Sequence, residues 1–292
     1  MVSPRYLLKQ GPVVRALVQT GIASMKKHRP TSMEVPGPVF SATVPPRSQD
    51  LVDTYIRHVG GNPRAYRGEL PAHMFPQWGF PTLVKTLHGI PYDMRRVLNG
   101  GCRIEQRAPI PMGEPLRLRA SIVEIDDDGY RAILTQELVT GTDSAPDALR
   151  STMRVFVPLK RKDGPKKPPA RVPDDARLLA RWKLGADAGT DFALLTGDVN
   201  PIHWIPAAAR AAGFRSCILH GFSTMARSIE TLNAARFAGD VHRLHAVDVT
   251  FTRPLLLPAR PGVFIADDGG FSVGTQPGGP CFLQGSYEVN DG

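Results

Sequence analysis

An aspartate and a histidine five residues apart, Asp198 and His203, flank Asn200 and Pro201 in the stretch FALLTGDVNPIHWIPAAA of residues 192–209. A carboxylate and an imidazole facing one small site can position a water and move its protons, which is general acid–base chemistry. On a continuous helix, neighbours on one face lie three or four apart, so a spacing of five would splay the pair. Gly197 is a natural helix stop, and Pro201 biases Asn200 away from helical angles. The spacing therefore predicts a turn that lets the two side chains converge. An Asx turn at Asn200 with a locally packed His203 satisfies the same string without chemistry, and the loop alone leaves both readings open.

The elements around the loop must position it. Asp191 to Leu195 is a short helical pattern closed by Gly197, and Pro206 starts another short helix, PAAARAAG, which Gly213 ends. A longer helix is predicted from His220 and Gly221 to about Phe237, with Met225, Ile229 and Leu232 on one face. Strands follow near 244–253, 262–267 and 281–289, separated by glycine and proline turns. One long helix wrapped by an antiparallel sheet, an α+β arrangement, is the simplest packing. The first half reads in the same order: short helix, loop, longer helix, strands. RIEQRAPIPMGEPLRLRASI (103–122) and DVTFTRPLLLPARPGVFIA (248–266) share one plan at an offset of 145, which aligns Ile104 with Val249 and Pro109 with Pro254. Such self-similarity points to a duplication.

With 292 residues, of which 42% are hydrophobic, the chain can fill two compact domains. No run approaches the roughly 20 apolar residues of a membrane span. Cys102, Cys217 and Cys281 lie far apart with no CxxC pair, which suggests neither a disulfide framework nor a zinc knuckle and fits a cytoplasmic setting. The net charge of +9 invites a nucleic-acid reading. Placement argues against one: Lys160, Arg161, Lys162, Lys166, Lys167 and Arg171 stand in a stretch broken by Pro165, Pro168 and Pro169, a solvated linker, and no aromatic-studded basic strand reads bases. An anionic small ligand also suits a basic surface. Residues 1–30 carry Arg5, Lys9, Arg15, Lys26, Lys27 and Arg29 and no acid. A transit peptide or membrane-surface helix has that look, but an arm docked on the body is the plainer expectation.

The segment from Phe192 to Ala209 resembles the signature of the MaoC-like, or hydratase 2, family: an aromatic, a small residue, Gly-Asp-x-Asn-Pro-aliphatic-His, and a small residue six further on. Downstream, ILHGFSTMA (218–226) is similar to the family's His-Gly at the start of its central helix. The resemblance implies a hot-dog fold that hydrates or dehydrates acyl thioesters, Asp198 and His203 as the acid/base pair, Asn200 bracing the loop, and the Gly221 amide polarising the thioester carbonyl. A backbone N–H at a helix N-terminus suits that role, and glycine lets a ligand come close.

Both halves are covered by a resemblance to double-hot-dog 3-hydroxyacyl-thioester dehydratases of bacterial fatty-acid metabolism. It implies a basic arm over 1–38, a degenerate hot-dog repeat over 39–158, a Pro/Lys-rich linker over 159–173 and a catalytic repeat over 174–292. In YIRHVGGNPRAYRGELPAHMFP (55–76) the string Gly60, Gly61, Asn62, Pro63 stands where TGDVNP would, so Gly61 replaces the acid and no histidine follows at the required distance. Asp53 and His58 also lie five apart, but without Gly-Asp or Asn-Pro, in a predicted helix. The region 75–94 is the first repeat's helical region, and Pro76, Pro81 and Pro91 are expected to interrupt it and so to open room for a longer acyl chain.

The resulting expectation is reversible hydration of a trans-2-enoyl thioester to a (3R)-3-hydroxyacyl thioester. No cofactor is expected, with coenzyme A or acyl carrier protein as part of the substrate. Neither is a metal, because His203, His220 and Asp198 lack recognisable ligand spacing. The expected state is a monomeric pseudo-dimer or a homodimer. A hot-dog thioesterase, told apart by release of free thiol, and a non-catalytic acyl-thioester binder are the alternatives.

Overall fold

Alternation of covered and open side chains runs nearly unbroken through the longest apolar stretches of the first half, the period of a sheet with one face packed. These form strands β3 (Leu116–Asp127), β4 (Arg131–Gly141) and β5 (Leu149–Pro158), the last alternating at every step. The computed structural model describes residues 2–11, 33–93, 97–160, 168–267 and 269–290. Most of the expected basic arm (12–32) and the middle of the expected linker (161–167) lie outside the described residues.

The other strands among the described residues are β1 (Phe40–Val44), β2 (Leu98–Gln106), β6 (Arg177–Arg181), β7 (Leu244–Phe251), β8 (Gly262–Ile265), β9 (Phe271–Gly274) and β10 (Cys281–Val289). Together they make one ten-stranded sheet in the order β1-β3-β4-β5-β2-β7-β10-β9-β8-β6, five strands from each half. Strands β1, β6 and β9 go beyond the sequence-based expectation. A strand precedes the first helix in each half, and β9 is buried on both faces, so it carries no alternation to read.

The halves meet where β2 pairs antiparallel with β7, and the register places Arg103 opposite Asp248. Those two positions are related by the same offset of 145 that relates the two sequences, so the pairing runs about a local two-fold axis through equivalent residues. Charged side chains cross the seam there. Arg154 Nη1 and Nη2 donate to the two carboxylate oxygens of Asp248 at 3.2 and 2.5 Å, and Arg103 meets Glu288 at 2.9 Å. One strand further out, Arg103 pairs with Thr152 and Asp248 with Ser286, which makes Arg154 and Glu288 counterparts. Gly101 has no side chain where the Arg154 guanidinium and the Val249 carbonyl lie, so the bridge fits only over a glycine.

Among the described residues there are five α-helices, α1 (Gln49–His58), α2 (Pro76–Thr86), α3 (Ala188–Thr196), α4 (Pro206–Ala211) and α5 (Gly221–Arg236); α2 packs against β1, β3 and β4, and α5 against β6, β7 and β10. Helix α1 buries Leu51, Val52, Tyr55 and Ile56, an amphipathic stripe. Its Asp53 pairs with Arg57 at 3.3 Å and its His58 turns to Arg227 at 3.1 Å, so the second five-apart acid and histidine do not face each other across a site.

The expectation that prolines break the first repeat's helix is corrected. Helix α2 runs through Pro81 without interruption; Pro76 occupies the first helical turn, where its missing N–H costs nothing. Burial of Phe75, Trp78 and Leu83 outweighs the one backbone bond Pro81 cannot make. A groove of about 460 Å³ runs along α2, lined in part by Trp78, Pro81, Leu51 and Arg47.

The described start of the chain is docked. Residues Pro4–Gln10 form a 3₁₀ turn; Arg5 pairs with Asp50 at 3.0 Å, and the buried Gln10 donates from Nε2 to the Leu195 carbonyl at 2.9 Å while accepting from Gln77. The arm thus holds the last turn of α3. No helix among the described residues is long and apolar enough to cross a membrane.

Candidate active site

Helix α3 must stop before Asp198, and Gly197 stops it: its φ of 79° is the left-handed C-cap, and its amide donates to the Ala193 carbonyl at 2.8 Å. The Val199 amide then donates to the Gly197 carbonyl at 2.9 Å, and Asn200 Oδ1 accepts from the Ile202 amide at 3.4 Å, an Asx turn. Pro201–His203 is a single 3₁₀ turn. Trp204 Nε1 locks its far side by donating to the Val199 carbonyl at 3.0 Å. The sequence argument for a turn between acid and imidazole holds, and the Asx turn is its means rather than its rival.

The loop brings three side chains together. Asp198, His203 and His220 each place a polar atom within 4.8 Å of the other two. Asp198 is the more open, with its side chain 19% exposed, while His220 is fully enclosed. His203 Nδ1 lies 2.8 Å from the Ile218 carbonyl, an acceptor, so Nδ1 carries the proton and Nε2 is left for a ligand. His220 Nε2 donates to the Asp198 backbone carbonyl at 3.0 Å.

The two imidazoles stack with centroids 3.6 Å apart and planes 25° apart. Ring nitrogens of stacked rings aim along nearly parallel planes, not at a common centre. By residue type the trio could ligate a cation, closer together than the spacing suggested, but its geometry suits a small hydrogen-bonded molecule.

Burial pushes His220 down to about 4, with His203 adding to the shift and Asp198 opposing it, so the imidazole stays neutral and donates from one nitrogen. Its unfolded value is near 6.5. The stabilisation is therefore full above pH 6.5 and lost as pH falls toward 4, because the unfolded chain takes up the proton first. Denaturant unfolding is expected to show roughly 3 kcal/mol less stability at pH 4 than at pH 7 from this group. The same titration on His220→Gln should show that much smaller a loss.

Two contributors escaped the sequence reading. One is the role of the His220 imidazole, weighed from the sequence only as a helix start and a metal ligand, in pinning the acid's backbone. The other is Gly189, in the first turn of α3, where any Cβ would fall on the His203 carbonyl. A glycine inside a helix costs up to about 1 kcal/mol relative to alanine, and that cost was the available signal that something approaches it closely.

His220 is also the N-cap of α5 but makes no side-chain capping bond, so the first amides of the helix, beginning with Gly221, have no side-chain partner from the cap. The helix dipole adds partial positive charge at that end. A Cβ on Gly221 would lie 3.0 Å from the Phe251 ring, so glycine is what keeps this end of the helix against that wall.

The loop of the first half has the same build without the chemistry. Gly60 has a φ of 92°, Asn62 Oδ1 accepts from the Arg64 amide, and Pro63–Tyr66 is a 3₁₀ turn. Gly61 stands in the place of the acid and Ala65 in that of His203.

Residues 168–269 match the MaoC like domain. The chain is 28% identical over 200 residues to 3-hydroxyacyl-thioester dehydratase X of Mycobacterium tuberculosis, across 66% of this chain and 69% of that one. It is 24% identical over 174 residues to the probable enoyl-CoA hydratase 2 of Dictyostelium discoideum, across 57% of this chain and 59% of that one, so the latter is spanned over little more than half its length. In fold it is similar to the crystal structure of HtdX from Mycobacterium tuberculosis, with a TM-score of 0.68 at 21% identity, covering 85% of this chain and 98% of that one. It is also similar to a Mycobacterium tuberculosis protein described as a double hotdog fold, with a TM-score of 0.56 at 11% identity, covering 88% of this chain and 96% of that one.

Proposed function

We propose that this chain, whose residues 168–269 match the MaoC like domain and whose fold is similar to a double hot-dog, is a hydro-lyase that reversibly hydrates trans-2-enoyl thioesters to (3R)-3-hydroxyacyl thioesters. The observation that carries the reading is the convergence of Asp198 and His203 beside the start of α5, whose N-cap residue His220 makes no side-chain capping bond. One water lies between the Asp198 carboxylate and His203 Nε2. Its oxygen bonds to C3 of the enoyl group, one of its protons is delivered to C2, and the C2–C3 double bond is lost. The Gly221 amide donates to the thioester oxygen as enolate character builds, where a fixed donor counts most. Asn200 braces the loop, and no metal or redox group enters the step.

The carrier of the thioester, coenzyme A or acyl carrier protein, bears phosphate. A cavity of about 460 Å³ is lined by Arg215, Arg253 and Arg260 together with Phe214 and Phe282. Among the described residues none of these arginines has an acidic partner at ion-pair distance, so three positive charges are free to meet an anion. Arg253→Ala is expected to raise KM about tenfold with kcat nearly unchanged, as loss of a charge-assisted contact made equally in ground and transition states requires.

The deciding assay follows enoyl absorbance and free thiol together on acyl-CoA substrates of increasing length. Hydration removes the absorbance without releasing thiol. Thiol release would mark a thioesterase, and no change in either would mark a binding protein.

A further inference from the structure

The emptied loop of the first half has an occupant. Glu230, in the third turn of α5, is 3% exposed and extends its carboxylate across the seam into that loop. Tyr66 Oη donates to Glu230 Oε1 at 2.6 Å, and His73 Nε2 meets the same oxygen at 3.1 Å. His73 is held in turn by Tyr55, whose hydroxyl donates to the His73 backbone carbonyl at 3.0 Å and lies 3.2 Å from Nδ1. All four side chains are buried. Burial, reinforced by the Glu230 carboxylate, pushes the Tyr66 hydroxyl upward, so it stays a donor. On the remaining side sits Gly61: a Cβ there would fall on the Glu230 carboxylate. The position that lost its acid is the one that had to lose every side chain.

A buried carboxylate costs several kcal/mol to desolvate, and an apolar side chain would fill the space more cheaply. What a satisfied polar cluster supplies instead is a single register, because its hydrogen bonds survive at only one axial and rotational setting of the helix. Glu230 follows Gly221 by nine residues, about 13.5 Å along the axis of one continuous helix. A helix that cannot slide at Glu230 cannot move its first amide. One turn nearer the active end, Arg227 Nη2 donates to His58 Nε2 at 3.1 Å, a second polar contact from α5 to the first half. Beside the cluster is a cavity of about 20 Å³, lined by Tyr66, His73 and Asn233 among others. The buried Asn233 Oδ1 has no hydrogen-bond partner among the described residues, and the space is large enough for one water.

We infer that Gly61, Tyr66 and His73 form a socket that receives Glu230 and sets the axial position of α5, so that the non-catalytic half positions the Gly221 amide for the reaction of the other half. The inference rests on the hydration reading for its kinetic consequence. Glu230 is then a positioning residue, and its loss should reach turnover more than binding.

The test combines steady-state kinetics on an enoyl-CoA with hydrogen exchange of residues 219–227 in the full chain. Glu230→Ala is expected to lower kcat about 10- to 100-fold with KM within about twofold, the size of effect that follows misplacement by about an ångström. Glu230→Gln keeps the accepting oxygen and the shape and should hold kcat within about threefold. Gly61→Ala should reproduce the loss, and Gly61→Ala with Glu230→Ala should be no worse than Glu230→Ala alone, because the two residues share one interaction. Tyr66→Phe, a gentler change, should lower kcat several-fold at constant KM and raise exchange at the start of α5. Folded Glu230→Ala or Tyr66→Phe with wild-type kcat and exchange would overturn the socket, as would Glu230→Gln failing as badly as Glu230→Ala. If the wild-type chain hydrates no enoyl thioester, the functional reading falls while the exchange experiment still decides whether the socket holds the helix.

Discussion

Asp198→Asn is expected to lower turnover about 10³- to 10⁴-fold while leaving the chain folded. The two side chains have nearly the same shape, and the backbone at this position is held by groups that asparagine keeps: the His220 Nε2 donor on its carbonyl and the Thr196 hydroxyl near its amide. What disappears is an oxygen able to take a proton from water. His203→Ala should cost a similar factor, because its free Nε2 is the other end of the same relay. The two acting as one unit, the double variant should be scarcely slower than the worse single one. The measurement is the initial rate of enoyl absorbance loss, with near-ultraviolet circular dichroism as the check on folding. Wild-type turnover in Asp198→Asn would remove the acid–base assignment altogether.

Gly189→Ala sets two effects of opposite sign against each other. In a helix, alanine is favoured over glycine by up to about 1 kcal/mol, which taken alone would raise the melting temperature. Here the added methyl group coincides with the His203 carbonyl, whose loop is also tied through Ile202 to Ile218 and cannot simply lift away. The clash should win. Displacing the imidazole by about 1 Å is expected to cost about 100-fold in kcat. A variant both fully active and more stable would show that the loop tolerates the shift and that Gly189 has no part in placing His203.

The parts of the molecule governed by local punctuation were legible in the sequence. Gly197, Pro206 and Gly213 end or begin helices wherever they stand, and the start of α5 at Gly221 and strand β10 fall where their residues put them. The turn between Asp198 and His203 belongs to the same class. Legibility failed where burial outweighs local preference: Pro81 continues a helix because its neighbours are packed, and β9 offers four buried residues in place of an alternation. It also failed for the contact between Tyr66 and Glu230, which are 164 residues apart, since no spacing rule joins them. Gly61 could be read as a lost acid but not as room made for another residue's carboxylate.

The charges across the β2–β7 seam are divided by half: Arg103 and Arg154 come from the first, Asp248 and Glu288 from the second. Two copies of the first half joined in that register would face arginine with arginine at both crossings, and two copies of the second would face acid with acid. Only unlike halves neutralise each other. The mixed pairing is therefore favoured over either like pairing, and a chain divided at the linker is expected to reassemble as one copy of each half.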